Sequence, residues 1–374
     1  MRPRFDVIVA GLGAVGSAAA WQLARRGVRV AGFDRYRPPH AFGSASGRTR
    51  IIREAYWEGP FYVPLVQRAY ELWAELEQAT GRQVLRPTGG LVIGTEKGTL
   101  VPGALRSAEA YGIPCRQLTA AEVRAQYPFR PGDAMGAVFE PRAGVLYADD
   151  AITAMLGEAA LRGAVLTFDQ PLESWSAGSD GVVVHTGAGS VAARCLILAT
   201  GPWMTSALLG LPAPLTVTRQ LMFWLRPRDS TAFLPSVCPV WIWETEPGPV
   251  YYGFPDLGDG PKIARHHGGE VTTAETVRRD VAPDEATDVL SFVERAIPPL
   301  CGPVTDARVC LYTNTPDSHF VVDRHPHHPE VLIASPCSGH GFKFAPVLGE
   351  ILADLAMERH PRFDLTPFRI GRFG

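Results

Sequence analysis

Residues 5–10 (FDVIVA) form a nearly continuous apolar run that ends in glycine, the pattern of a strand buried on both faces. Glycines follow at 11, 13 and 16, an alanine-rich stretch reaches Arg26 and Gly27, and a second apolar run over 28–33 closes on Asp34. The order predicts strand, tight turn, helix, strand and acid. Further along, Leu65, Ala69, Leu72, Trp73 and Leu76 recur at helical spacing, which predicts a helix over 62–80 with a core-facing stripe. A strand is expected at 89–94 and a short helix at 120–126. Residues 195–198 read as a buried strand running into a second turn next to a nucleotide, at 199–203. Between 221 and 254 the chain becomes β-rich and aromatic, predicting a separate sheet that presents a ligand surface. A strand at 330–334, a glycine turn at 338–343 and a helix through 357 repeat the N-terminal logic, so the last helix is expected to return to the same nucleotide site.

This pattern gives an α/β fold: a discontinuous Rossmann-type dinucleotide-binding domain (1–85, 145–215 and 305–374) interleaved with a mostly antiparallel β-sheet substrate domain (86–144 and 216–304). The active site is expected at their junction. In the first turn Gly11 permits the bend, Gly13 lets main chain approach a pyrophosphate, and Gly16 lets the helix lie close. The helix N-terminus offers unpaired N–H groups to the phosphates. Asp34 stands where a carboxylate accepts both hydroxyls of an adenosine ribose. The fingerprint alone leaves NAD and FAD open.

A chain of 374 residues holds material for two or three domains, and 36 Lys plus Arg against 38 Asp plus Glu give a formal charge of -2. That balance points to neither a nucleic-acid partner nor an anionic membrane surface. No apolar run is long enough to span a bilayer and only four residues precede the first strand, so a soluble, cytoplasmic protein is expected. Six cysteines without a CxxC pair indicate neither a disulfide framework nor a zinc site. His325, His327 and His328 flank a proline turn and read as solvated rather than metal-binding, so no metal is expected. Trp241 and Trp243, two apart on an expected strand, face one side. They are either core or the lining of a substrate cavity suited to a flat or cyclic group.

Seven segments in order, Asp34, 38–40 (PPH), 49–53 (TRIIR), 144–149 (GVLYAD), 251–255 (YYGFP), 309–313 (VCLYT) and 338–343 (SGHGFK), resemble the family of monomeric sarcosine oxidase and N-methyltryptophan oxidase. These belong to the wider D-amino-acid-oxidase-like flavoproteins, and the resemblance spans essentially the whole chain. It resolves the cofactor to FAD. It implies an amine oxidase that removes a hydride from the carbon beside the nitrogen of a secondary or cyclic α-amino acid. The flavin takes the electrons, O2 is reduced to H2O2, and water hydrolyses the imine.

By the same resemblance Cys310 carries the flavin through a thioether, with Cys337 as the nearby competitor. Arg53 and Lys343 hold the substrate carboxylate, a guanidinium fork joined by a point charge. A lysine at a helix start opposes the helix dipole, so Lys343 also argues for an anion nearby. Lys262 is placed on the oxygen-reacting face, although the turn at 256–261 is one residue shorter than the family pattern. His266, Tyr252 and Tyr312 line the substrate cavity. Arg50 lies near the flavin, with Thr49, Gly201, Gly339 and Gly341 in the cofactor site. Ser46 stands where the family often has histidine, which removes a proton-handling group there. The resemblance implies a small amino acid and O2 as partners, and the sequence leaves the oligomeric state open, a monomer being one reading. Two rivals remain open at this point: a flavin dehydrogenase feeding a carrier, and a flavin-binding protein without turnover.

Overall fold

The computed structural model describes residues 5–178, 180–208, 214–245, 248–336 and 338–374, which leaves Cys337 outside the described residues. The strand Phe5–Ala10 lies parallel to Val30–Phe33 on one side and to the end of Gly189–Leu198 on the other. Val165–Thr167 and His328–Ser335 extend this parallel core at its two margins. The crossover helix Ala14–Ala24 is buried over nearly its whole length because its alanines allow neighbours close on every side. It packs on Ala148–Leu161 and on the C-terminal helix Ala345–Ala356.

Two glycines make this turn possible. Gly11 has φ 87°, and a Cβ there would stand 2.5 Å from the Ala199 carbonyl oxygen at the end of the neighbouring strand. A Cβ on Gly16 would stand 1.7 Å from the Gly11 carbonyl oxygen, so the helix can begin this close to the turn only without a side chain.

Among the described residues the second sheet has nine strands and is antiparallel except where Val240–Glu244 meets Gly90–Thr95. Thr216–Leu225 and Val304–Asn314 pair over their full lengths. This corrects the expected boundary at 305: the strand carrying Cys310 and Tyr312 hydrogen-bonds into the second sheet, not the nucleotide-binding one. Thr49–Ile52, Gly144–Tyr147 and Leu85–Pro87 pair as a further antiparallel sheet.

The expected helix at 62–80 forms as Val63–Thr80, with Tyr62 in a preceding single turn, and it stops where Gly81 turns left-handed at φ 67°. The helix Ala120–Gln126 is set by a capping box between Thr119 and Glu122. After the 338–343 turn the chain does not enter the last helix at once. It makes a single tight turn, Phe342–Phe344, before Ala345–Ala356, so Lys343 precedes the helix proper.

Trp241 and Trp243 are both core. Their indoles pack with Phe129 and Phe292, whereas Ile242 between them faces the opposite side of the sheet. His325, expected in a solvated turn, is buried edge-on against Trp175.

Candidate active site

A cavity of about 510 Å³ opens at the C-terminal ends of the parallel strands, bordered by Gly11, Gly13, Asp34, Gly201, Gly339 and Gly341. The Asp34 carboxylate is fixed by the main chain: it accepts Leu12 N–H at 2.6 Å on one oxygen and Tyr36 N–H at 2.9 Å on the other. The site fits a dinucleotide on the structure's own terms. A Cβ on Gly13 would meet nothing within 4 Å, so the turn leaves open room in front of the helix N-terminus. Trp203 Nε1 and Thr313 Oγ1 are buried polar atoms without a hydrogen-bond partner, and both residues border the cavity. Gly16 does its work behind the turn, against Gly11. Ser46 is buried, its hydroxyl donating to Val309 O at 3.1 Å, while Ser44 and Ala45 form the wall beside it.

A second cavity of about 70 Å³ shares Arg50, Tyr312, Gly339 and Phe342 with the first. It brings together Thr49, Arg53, Tyr252, His266, Cys310 and Lys343 from five separated stretches. Arg50 links the two spaces, its Nη2 standing 3.7 Å from Cys310 Sγ and donating to the Ser44 and Ser46 carbonyls at 2.7 Å. The Cys310 thiol donates to Ser44 O at 3.4 Å.

The cations of this cavity are strongly constrained. Arg53 Nη2 binds both oxygens of Glu58 at 2.6 and 2.8 Å, and Nη1 donates to Ala55 O at 3.0 Å. Burial pushes the Glu58 carboxyl up, but Arg53, His340 and Lys343 together outweigh it and hold it below the usual carboxylate range. Lys343 Nζ donates to His340 O at 2.8 Å and to the Tyr56 hydroxyl at 3.3 Å. Burial, reinforced by Arg53, brings its ammonium down to about 7. His340 is neutral, brought down to about 4 chiefly by burial. Its Nε2 donates to Ser318 O at 2.9 Å, so its Nδ1 accepts the Tyr56 hydroxyl at 2.6 Å. The anion that the lysine argument called for is thus supplied from within the chain, by Glu58.

His266 stands 3.3 Å from the Tyr312 hydroxyl, and burial with His267 alongside holds it well below the usual imidazole range. Burial likewise raises the Tyr252 and Tyr312 phenols, so all three rings are neutral near pH 7. Lys262 is not on the wall of this cavity. It lies behind Thr49, donating to Gly47 O at 2.8 Å, Thr49 O at 3.0 Å and Thr49 Oγ1, with the Phe254 ring 4.0 Å away. Burial, with Arg50 nearby, lowers its ammonium well below the usual lysine range.

Sequence reasoning missed Glu58, Trp57, His340 and Ile242. The available signal for the first two was proximity, since both follow Arg53 within five residues in one loop. His340 stands between Gly339 and Gly341, and Ile242 between Trp241 and Trp243, so proximity to residues already singled out was the available signal for these two as well. Glu140, also unforeseen, accepts the N–H groups of Glu54 at 2.7 Å and Ala55 at 2.9 Å and so holds the chain directly after Arg53.

The chain matches the FAD dependent oxidoreductase family over residues 6–355. It is 43% identical to a monomeric sarcosine oxidase of Streptomyces avermitilis, covering 96% of this chain and 94% of that one. It is 35% identical to an N-methyl-L-tryptophan oxidase of Salmonella agona over 99% of both. Among solved structures it is similar to NikD, an unusual amino acid oxidase essential for nikkomycin biosynthesis, at a TM-score of 0.86, 23% identity and coverage of 98% and 97%. It is also similar to an L-proline dehydrogenase from P. horikoshii, at 0.87, 21% and coverage of 100% and 98%. These last two likenesses concern the fold. Dinucleotide cradle, adjoining charged cavity and family match agree: the chain belongs to the FAD dependent oxidoreductases of the DAO family.

Proposed function

We propose that this protein is an amine oxidase of small secondary α-amino acids, sarcosine-like in size, with its flavin attached to Cys310. The observation that carries the reading is the 70 Å³ cavity, which sets Arg53 and Lys343, with Glu58 as an internal counter-charge on Arg53, beside the dinucleotide site. FAD, when bound, supplies the two-electron acceptor. Arg53 and Lys343 bind the carboxylate, which shares or displaces the hold of Glu58 on Arg53. His266, Tyr252 and Tyr312, being neutral, orient the amine without adding charge repulsion. Ile242 and Phe342 exclude water from the carbon that is oxidised. Small volume and the burial of both tryptophans in the core favour a compact substrate over a bulky one.

Gly11, Gly13, Asp34, Gly201, Gly339 and Gly341 hold the dinucleotide, and Thr49, Arg50 and Ser46 shape the approach to the ring end. Cys310 Sγ lies 3.7 Å from Nη2 of Arg50, the residue that borders both cavities, and so stands toward the ring end of the dinucleotide site. Lys262 contributes a buried positive charge behind Thr49 for the reduction of O2. Anaerobic mixing with sarcosine, N-methylalanine, pipecolate and glycine tests the reading: sarcosine bleaches the flavin, and admitting air restores it with stoichiometric H2O2. No bleaching by any secondary amino acid overturns it, and bleaching that air does not reverse makes the protein a dehydrogenase. Acid-precipitated protein pellets yellow, while Cys310→Ala releases its flavin. A colourless pellet from loaded unmutated protein removes the thioether.

A further inference from the structure

The guanidinium of Arg53 lies between two aromatic rings. Its central carbon is 3.3 Å from the centre of the Trp57 ring and 4.2 Å from that of Tyr56. The two rings are 6.5 Å apart and only 10° from parallel. Both distances to the guanidinium are shorter than the separation of the rings, so it is flanked by the two rings, closest to Trp57. A carboxylate that pairs with the guanidinium fork does so in the guanidinium plane, past the edge of the nearer ring, Trp57.

The two flanking rings have different mountings. Tyr56 is fully buried and its hydroxyl is tied to His340 and Lys343, so it is a fixed back wall. Trp57 is half-buried, borders the small cavity, and lies close against Gly103, where an added Cβ would come within 2.8 Å of the Trp57 Cβ. Its indole therefore forms a front wall with one side on Arg53 and an edge on the substrate space.

We infer that Trp57 sets the size of substituent tolerated on the carbon next to the substrate carboxylate. The inference rests on the Arg53 carboxylate clamp proposed above. With the carboxylate in the guanidinium plane, the next carbon lies past the edge of the indole, and anything branching there meets the ring. A glycine-type carbon clears the ring. A branched one collides with it. The same stacking keeps the guanidinium plane from swinging, so removing the indole both widens the space and loosens the clamp.

The test is carboxylate binding to the flavin-loaded protein, read from the flavin absorbance change without turnover, with acetate, propionate and isobutyrate as probes. Unmutated protein binds acetate tightest and isobutyrate weakest. In Trp57→Ala acetate weakens by about tenfold as the cation loses a stacked face, while isobutyrate gains, so the acetate-to-isobutyrate preference falls by more than about tenfold. Trp57→Leu keeps a bulky apolar side chain without the flat face and guards against a folding artefact: acetate weakens while the preference for it largely stays. Trp57→Phe, with a smaller flat face, recovers most of the acetate affinity. An unchanged order and ratio of the three acids in Trp57→Ala and in Trp57→Leu overturns the sizing role alone. If no carboxylate perturbs the flavin of unmutated protein, the clamp falls and the sizing role with it.

Discussion

The large cavity is bordered by glycine turns at 11–13, 201 and 339–341 that present main chain, and the small one by side chains drawn from seven stretches of sequence. Where main chain makes the wall, a ligand is recognised by N–H groups whose placement follows from strand, glycine and helix in order, and the residues can be named from spacing. Where side chains make the wall, the same kind of cleft acquires charge and selectivity, but only through partners remote in sequence. Tyr56 meets His340, and Arg50 meets Cys310. Geometry is fixed in the first region by what is missing from glycine. In the second it is fixed by what each charge is tied to.

The main-chain region should break most sharply. Gly16→Ala forces a Cβ to 1.7 Å from a carbonyl oxygen, so we expect a loss above about 4 kcal/mol and little soluble holoprotein, measured by urea midpoint and flavin content. Near-normal flavin loading would show that the turn can yield. In the side-chain region Arg53→Met leaves flavin content intact and lowers kcat/KM by about 2–5 kcal/mol, and equal turnover of sarcosine and dimethylamine in unmutated protein would deny the clamp. Lys262→Met slows reoxidation by about a hundredfold, about 3 kcal/mol, with a much smaller effect on reduction by substrate. Stopped-flow measurement of the two half-reactions decides it, equal slowing of both marking a structural defect.

The smallest effect sharpens the comparison through pH. Lys343 is brought to about 7 by burial and Arg53, so it is an ammonium below that pH and an amine above it. Only the ammonium attracts a carboxylate, and acetate itself stays ionised throughout. Its Kd should be flat below about pH 6 and rise toward about tenfold per unit, near 1.4 kcal/mol, well above pH 7. A Kd independent of pH up to about 9, or one that falls, would remove Lys343 from the clamp.

Legibility in the sequence followed the same division. Gly11, Gly13 and Asp34 were readable because a period and a spacing carry them, and Arg53, Lys343, Tyr252, His266, Tyr312 and Cys310 were named through short motifs of a resembling family. Glu58 was not, because nothing local distinguishes an acid that will turn back onto an arginine from one that is solvated. Trp241 and Trp243 could not be settled because alternation says which residues share a face, not which face meets a cavity. That depended on Phe129 and Phe292, more than a hundred residues away from the tryptophans in one case. The boundary at 305 failed because Val304–Asn314 is equally apolar in either sheet, and only its pairing with Thr216–Leu225 assigns it.

That pairing has a mechanical consequence. Gly11, Gly13 and Asp34, bordering the large cavity, follow strands of the parallel sheet, whereas Tyr312 on its wall and Cys310 in the adjoining small cavity belong to the antiparallel one. A dinucleotide held by the parallel sheet and bonded to Cys310 through the proposed thioether would cross-link two separately hydrogen-bonded bodies. Such a link subtracts from the disorder gained when they part. On this reading the loaded protein melts as a single unit, and cutting the tether at Cys310 leaves the two bodies free to come apart in turn.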